Sequence, residues 1–524
     1  MHEVELVLVS LLLAVAVFGA AARAVNIPYP IVLVVGGLLL GFVPGLPHVA
    51  LAPDLVLVIF LPPLLYSAAF FANLRDLRAD VRSISFLAIG LVLATAAVVA
   101  AIAHAVVPGL GWAAAFALGA IVAPTDPIAA TTIGRRLGVP RRTITILEGE
   151  SLLNDGTALV AYKVAVAAAV GHSVTAAGAG WDFVAGAVGG IAVGLAAGWL
   201  IAQVRKRLDD VPVETTISLL SGYAAYVPAE RLGLSGVLAA VSTGIYLGWR
   251  APEISTARMR LQGYAMWEIL VFLLNALLFV LIGLQLRSIV DGLGGRSTPT
   301  LLGQAAAIAA AVILTRLLWM HTVPYLTLAV DRRPAQRDRR VDWRGRMVAA
   351  WSGMRGAVSL AAALALPAHF PARNLLLFVT FAVIFATLVV QGLTLPPLIR
   401  ALGVHDDGAD GREELAGRRR ATDAALARLE ELGAQEWTRD DTVDRMRGLY
   451  EYRNRRLAAR AGDDDGPDGD DYEARSYRYQ KMVREVIAAQ YAAIVELRNS
   501  GEISNEVMHR LERELDLERE RLEI

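Results

Sequence analysis

Apolar runs of about 20 residues, the length that spans a hydrocarbon bilayer, recur from the N-terminus to about residue 400. Hydropathy and helix breakers place thirteen candidate spans near 4–22, 30–46, 54–73, 84–107, 112–133, 144–170, 181–203, 213–229, 234–249, 263–286, 300–329, 347–368 and 372–399. The expected fold class is an all-α polytopic membrane protein. Composition agrees: of 524 residues 55% are hydrophobic and 19% charged, with mean hydropathy +0.49. A soluble chain of that length would divide into several domains with polar surfaces. Several spans are rich in Ala and Gly, which lets helix backbones approach closely in lipid. The chain has no cysteine, which excludes disulfides, thiolate nucleophiles and Cys-ligated metals. No basic segment precedes the first stretch, Val4 to Ala22, so it reads as a retained helix and not a cleaved signal.

A net charge of zero conceals two regions. Residues 1–400 hold 29 basic and 20 acidic side chains, and residues 401–524 hold 21 and 30. A transmembrane domain over 1–400 and a cytosolic helical domain over 401–524 are expected. With the N-terminus outside, the inner loops hold Arg23, Arg75, Arg78, Arg82, Arg135, Arg136, Arg141, Arg142, Arg205, Lys206, Arg207, Arg250, Arg258 and Arg260. They also hold Arg332, Arg333, Arg337, Arg339, Arg340, Arg344 and Arg346. The outer loops hold only Arg231, Arg287, Arg296 and Arg373. That asymmetry favours an odd number of spans in a cell membrane, with the C-terminus inside. No basic stretch alternates with aromatics, so nucleic acid is not an expected partner. In the tail, helical periods run over 412–433, 440–461 and 473–522, the last broken near Asn499-Ser500-Gly501. The acidic stretch Asp463 to Asp471 reads as a linker. Val483, Ile487, Tyr491 and Ile494 form an apolar stripe, as in a hairpin packed on itself or on a second copy.

Charges inside the spans carry the functional information, because each costs roughly 2.5–3.5 kcal/mol at a helix centre on insertion scales. Span five reads Ala123-Pro124-Thr125-Asp126-Pro127. Two prolines three residues apart remove backbone donors and should break the helix. Unwound backbone at that depth is tolerated only inside protein or along a wet cavity, and broken helices present carbonyls and helix ends to ions. The oxygens of Thr125 and Asp126 suit a hard cation such as Na⁺. Asp126 equally suits a cap on the second half-helix, and both roles can hold together.

Span six reads Glu148-Gly149-Glu150-Ser151-Leu152-Leu153-Asn154-Asp155. Residues four apart share a helix face, so Ser151 lies with Asp155, and Glu150 with Asn154 beside them. Asp155 has no cation at three or four residues' spacing. Burial without one disfavours the bare charge, so either a proton or a cation must compensate it. Competition between the two is what an exchanger needs, if the site opens to one side at a time.

Arg316 stands in span eleven and Arg355 in span twelve, where Gly353 and Gly356 flank it and weaken the helix. A second break is expected there, with Arg355 able to neutralise its carbonyl ends. A buried Arg needs a carboxylate; the candidates are Glu150 for Arg316 and Asp126 for Arg355. Lys163, eight residues past Asp155, either lines an outer passage or snorkels to the interface. Scattered histidines and the lack of a nucleophile–base spacing argue against an enzyme. A channel or uniporter is the alternative to exchange, but it would need a continuous polar pore where the sequence offers one local cluster.

Together the two motifs above and Met354-Arg355-Gly356-Ala357-Val358-Ser359-Leu360 resemble the sodium/proton exchanger branch of the monovalent cation:proton antiporters. The match runs in order and spacing over residues 1–400. Gly501-Glu502-Ile503-Ser504 and Leu515-Asp516-Leu517-Glu518 are similar to the cytosolic end of bacterial members. The resemblance implies a homodimer of thirteen-helix protomers with inverted repeats and two crossed, broken helices. It implies exchange of Na⁺, with Li⁺ or K⁺ as further candidates, for protons without a cofactor, in the service of pH homeostasis. Asp155 would be the ion and proton carboxylate, with Thr125, Asp126 and Ser151 around the ion and Glu148 as an accessory acid. Glu150 would pair with Arg316, and Arg355 would compensate the second break. Asn154 before the key acid is associated with electroneutral exchange. The sequence departs from the family pattern at Ser67, where an acidic residue often stands; its hydroxyl remains as an accessory ligand.

Overall fold

The computed structural model describes residues 2–25, 27–43, 53–171, 176–293, 297–330, 341–406, 408–461 and 469–523. Arg296, Arg332, Arg333, Arg337, Arg339, Arg340 and the linker residues 462–468 lie outside the described residues. The chain divides into two compact units, Met1–Asp406 and Asp407–Ile524.

The described residues of the first unit form helices and the turns that join them. Its first three helices are α1 (His2–Ala24), α2 (Tyr29–Gly41) and α3 (Pro53–Phe70). After the short α4 (Leu74–Ala79), the fourth span starts as α5 (Val81–Ser85), passes through a π-helical segment (Phe86–Leu91) and continues as α6 (Val92–Val106). The fifth predicted span is two helices, α7 (Trp112–Val122) and α8 (Ile128–Arg136), and α9 (Arg141–Ala169) follows. Next come α10 (Ala176–Arg205), α11 (Val211–Arg231), α12 (Gly236–Ile254), α13 (Ala257–Asp291) and α14 (Thr298–Val330). The twelfth predicted span is again divided, into α15 (Trp343–Trp351) and α16 (Ala357–Leu364). The last begins as α17 (Arg373–Phe385), has a second π-helical segment (Ala386–Gln391) and ends as α18 (Gly392–Leu402).

Among the described residues, five helical stretches are long and apolar enough to cross a membrane by length and composition: Val81–Val106, Gly180–Arg205, Ala257–Arg287, Thr298–Val323 and Arg373–Leu402. The segments that carry the motifs are not among them, for a physical reason. Breaks shorten the fifth and twelfth spans, and Glu148, Glu150, Asp155 and Lys163 lower the hydropathy of α9.

The helices pack as two bundles. One gathers α1–α3 and α10–α13; the other gathers α4–α9 and α14–α18. Helix backbones approach closely where glycines line the contact. At α2 against α13, a side chain on Gly37 would strike the Val280 carbonyl, and one on Gly283 would strike that of Val34. This is the small-residue packing that membrane helices use in place of a hydrophobic driving force.

The second unit holds α19 (Ala409–Gly433), α20 (Asp440–Ala461), α21 (Gly469–Asn499) and α22 (Asn505–Glu523). Gly469, Asp470 and Asp471, read from the sequence as linker, form the first turn of α21. Acidic residues are favoured there by the helix dipole. The expected interruption falls at Gly501, which takes a left-handed φ of 80°. Ile487, Met508 and Leu515 are buried, and the Tyr491 hydroxyl donates to the Asp516 carboxylate, closing the hairpin.

Candidate functional site

The two breaks meet inside the second bundle. Residues 123–127 separate α7 from α8, and residues 352–356 separate α15 from α16. They touch through backbone: the Asp126 amide donates to the Met354 carbonyl at 2.7 Å. Four helix ends therefore meet in a small volume, two with free carbonyls and two with free amides.

Arginines take the carbonyl ends. The Nε of Arg355, 1% exposed, donates to the Val122 carbonyl at the end of α7 at 3.0 Å, and its Nη1 donates to the Gly353 carbonyl. Arg316 donates from Nε and Nη2 to the Ala349 carbonyl near the end of α15, at 3.2 and 3.1 Å. Asp126 takes the amide ends. Its Oδ1 accepts from the Ile128 amide at the start of α8 at 3.0 Å. Its carboxylate also lies against Gly356, which caps α16, so closely that a Cβ there would overlap Oδ2. Of the alternatives open for these two charges, the helix-end roles are the ones found: each serves ends of the opposite sign, and among the described residues no ion pair joins Asp126 to Arg355.

A second network fixes α9 to the crossing. Glu150 and Arg316 form a two-pronged ion pair, Nη1 to Oε1 and Nη2 to Oε2, the latter at 2.8 Å. Both are fully buried. The Thr125 hydroxyl donates to Glu150 Oε1 at 3.0 Å and accepts from Asn154 Nδ2 at 2.9 Å. The chain of contacts runs from Asn154 through Thr125 and Glu150 to Arg316 and the Ala349 carbonyl, joining α9, the first break, α14 and α15.

Asp155 stands apart from this network. It is 6% exposed, and among the described residues no hydrogen bond or ion pair reaches its carboxylate. The Asp126 charge lies within electrostatic reach. Ser151, one turn earlier, is half-buried. The site is thus a lone buried carboxylate beside a crossing whose own charges are already matched.

The remaining predicted residues lie elsewhere. Glu148 pairs with Arg135 at 2.6 Å, both partly exposed, across the end of α8. The Ser67 hydroxyl, buried in α3, donates back to the Leu64 carbonyl at 2.9 Å. Lys163 bonds Glu230 at 3.0 Å. Two features escaped the sequence. The Thr387 hydroxyl, in the second π-helical segment, accepts from the Arg355 amide at 3.1 Å. Arg205, counted as a loop charge, is 1% exposed, donates to the Ser255 hydroxyl at 3.0 Å and lies 3.7 Å from the buried Glu214. Nothing in the spacing of either residue pointed to these contacts.

Broken helices whose ends meet beside a buried acid are a mark of ion-coupled membrane transporters. The sodium/hydrogen exchanger transmembrane family matches residues 9–401, and the chain belongs to that family. It is 37% identical over 527 residues to an uncharacterized Na⁺/H⁺ exchanger of Mycobacterium tuberculosis, covering 98% of this chain and 95% of the relative. It is 33% identical over 419 residues to a sodium, potassium, lithium and rubidium/H⁺ antiporter of Bacillus subtilis, covering 76% and 61%. The fold is similar to that of the sodium proton antiporter MjNhaP1 from Methanocaldococcus jannaschii, with a TM-score of 0.57 at 20% identity, covering 76% of this chain and 99% of that one.

Proposed function

We propose that the chain is a secondary antiporter that exchanges Na⁺, with Li⁺ and K⁺ as competing cations, for protons at Asp155. The observation that carries this reading is the isolation of Asp155. Every other charge at the crossing has a fixed counterpart: Glu150 has Arg316, and Asp126 and Arg355 have helix ends. Asp155 alone needs a mobile one. A proton and a cation can each fill that role, and neither can while the other is bound.

One exchangeable carboxylate carries one charge. Its neighbour Asn154 is neutral and is held by Thr125, so exchange of one cation for one proton is electroneutral. Asp126 and Ser151 lie around the cation in this reading, while Thr125, which the resemblance also puts there, commits its proton to Glu150. The membrane domain crosses the bilayer thirteen times with the N-terminus outside. It pairs with a second copy, and residues 401–524 lie in the cytosol. Which cation dominates is a further part of the proposal, supported for Na⁺ by the family and widened by the cation range named for the Bacillus relative.

The test is Na⁺-driven proton flux in proteoliposomes. Asp155→Asn removes flux for every cation while the protein stays folded, since Asp155 has no partner to lose and a buried bare charge is unfavourable. Undiminished flux in that variant would sink the proposal.

A further inference from the structure

The two bundles meet along a seam. Among the described residues, polar contacts cross it at two points on one side. Lys163 Nζ on α9 donates to Glu230 Oε2 on α11 at 3.0 Å, and Asn374 Nδ2 on α17 donates to the Gly292 carbonyl, just past α13, at 2.7 Å. With thirteen alternating crossings, the ends of α9, α11 and α13 and the start of α17 all lie on the outer face. Both contacts therefore close the seam on that side.

Lys163 and Glu230 are unequal partners. Glu230 is held within its own bundle, because its Oε1 accepts from the Gly236 amide at the start of α12 at 3.1 Å. Lys163 belongs to α9, the helix that carries Asp155. An apolar groove of about 500 Å³ opens along the same helix, lined mainly by α6, α7 and α9 of the second bundle, with Phe183 of α10 on the side of the first. The pair is also exposed, with side chains 57% and 34% accessible. Exposed ion pairs are weak. A contact that must open in every transport cycle has to be weak, whereas the buried Glu150–Arg316 pair inside the second bundle has no such need.

We propose that Lys163 and Glu230 form an outer latch. Closed, it holds α9 against α11 and shuts the outer approach to Asp155; open, it releases the second bundle to expose Asp155 outside. Asn374 and the Gly292 carbonyl give a second point of closure on the same face. The proposal rests on the antiporter reading and adds a residue pair that sets which side the site faces.

The absence of cysteine from the chain makes a clean test available. Lys163→Cys and Glu230→Cys are combined in the full chain, reconstituted, and joined with a cleavable bifunctional thiol reagent. Na⁺-driven proton flux is expected before linking, lost once the two positions are joined, and restored on cleavage. Each single variant treated with the same reagent keeps its flux. Full flux in the joined protein overturns the latch and leaves exchange standing; no flux in the unaltered chain overturns exchange itself. A second measurement needs no linker. In a background carrying Val160→Cys, Lys163→Gln is expected to raise labelling by an impermeant maleimide applied from outside severalfold. An unchanged rate counts against the latch.

Discussion

The two helix breaks reach the same end by opposite chemistry. In the first, Pro124 and Pro127 remove backbone donors, and the local charge is an acid, Asp126, which serves amide ends. In the second, Gly353 and Gly356 weaken the helix, and the local charge is a base, Arg355, which serves carbonyl ends. The placement is crossed. Arg355 belongs to the second break but bonds the end of α7, which belongs to the first; Asp126 belongs to the first but lies against the cap of α16, which belongs to the second. Neither break is neutral alone, so the pair must be built together. Asp155 is left as the one carboxylate there without a fixed counterpart.

The largest effect is expected where a framework charge is orphaned. Arg316→Ala leaves Glu150 buried and unpaired and strips the Ala349 carbonyl of its donor, at a cost of roughly 3–5 kcal/mol. Thermal unfolding of the purified protein should show a large loss of stability, against little change in Asp155→Asn. A well-folded Arg316→Ala protein with altered cation preference would instead place Arg316 among the ion-handling residues.

Next comes the point where the two breaks touch. Gly356→Ala puts a methyl group into the Asp126 carboxylate. Backbone or carboxylate has to move, and overpacking of this kind typically costs about 1–3 kcal/mol. Flux should fall more than stability, because Asp126 loses its seat between two helix starts. Gly111→Ala, where a Cβ would meet nothing within 4 Å, is the control and should leave flux unchanged. Equal loss in both variants would separate the crossing from the effect.

Asp126→Asn tests the amide side of the comparison more gently. Asn can still cap α8, so what is lost is the charge on two positive helix ends, worth about 0.3–1 kcal/mol for each end at exposed sites and up to about 2 in buried geometry. The protein should fold with modestly lower stability and reduced flux. A stability loss as large as that of Arg316→Ala would mean that Asp126 has a fixed cationic partner after all.

How far the sequence foretells this arrangement depends on whether the information is local. Pro124, Pro127, Gly353 and Gly356 mark the breaks because backbone chemistry is local. Glu150, Asp155 and Arg316 mark the site because an idle charge in a span is costly, and Glu150 was a stated candidate for Arg316. That Asp126 could cap a half-helix and Arg355 could face carbonyl ends was legible; that each also reaches the other break was not, since no periodicity gives the register of span five against span twelve. The same gap hid Thr387, which meets Arg355 from another span. Lys163 stayed open between lining a passage and snorkelling because its partner Glu230 lies 67 residues on, and Arg205 read as a loop charge because hydropathy carries no record of what covers a helix end.

A last pair of substitutions, of which the conservative one is expected to do least of all, separates a ligand from a scaffold. The resemblance put Thr125 beside the cation, whereas its hydroxyl lies between Asn154 and Glu150. If those bonds are its role, Thr125→Ser keeps both of them and leaves stability and the KM for Na⁺ close to the parent values. Thr125→Val keeps the shape and removes the hydroxyl. It leaves a buried amide and a buried carboxylate each short of a partner, a loss of about 1–3 kcal/mol visible in thermal unfolding before it is visible in KM. Ser151→Ala reverses that order, because Ser151 shares the face of Asp155: stability holds and the KM for Na⁺ rises. A raised KM in Thr125→Val at full stability would return Thr125 to the cation and leave the Asn154–Glu150 link as packing alone.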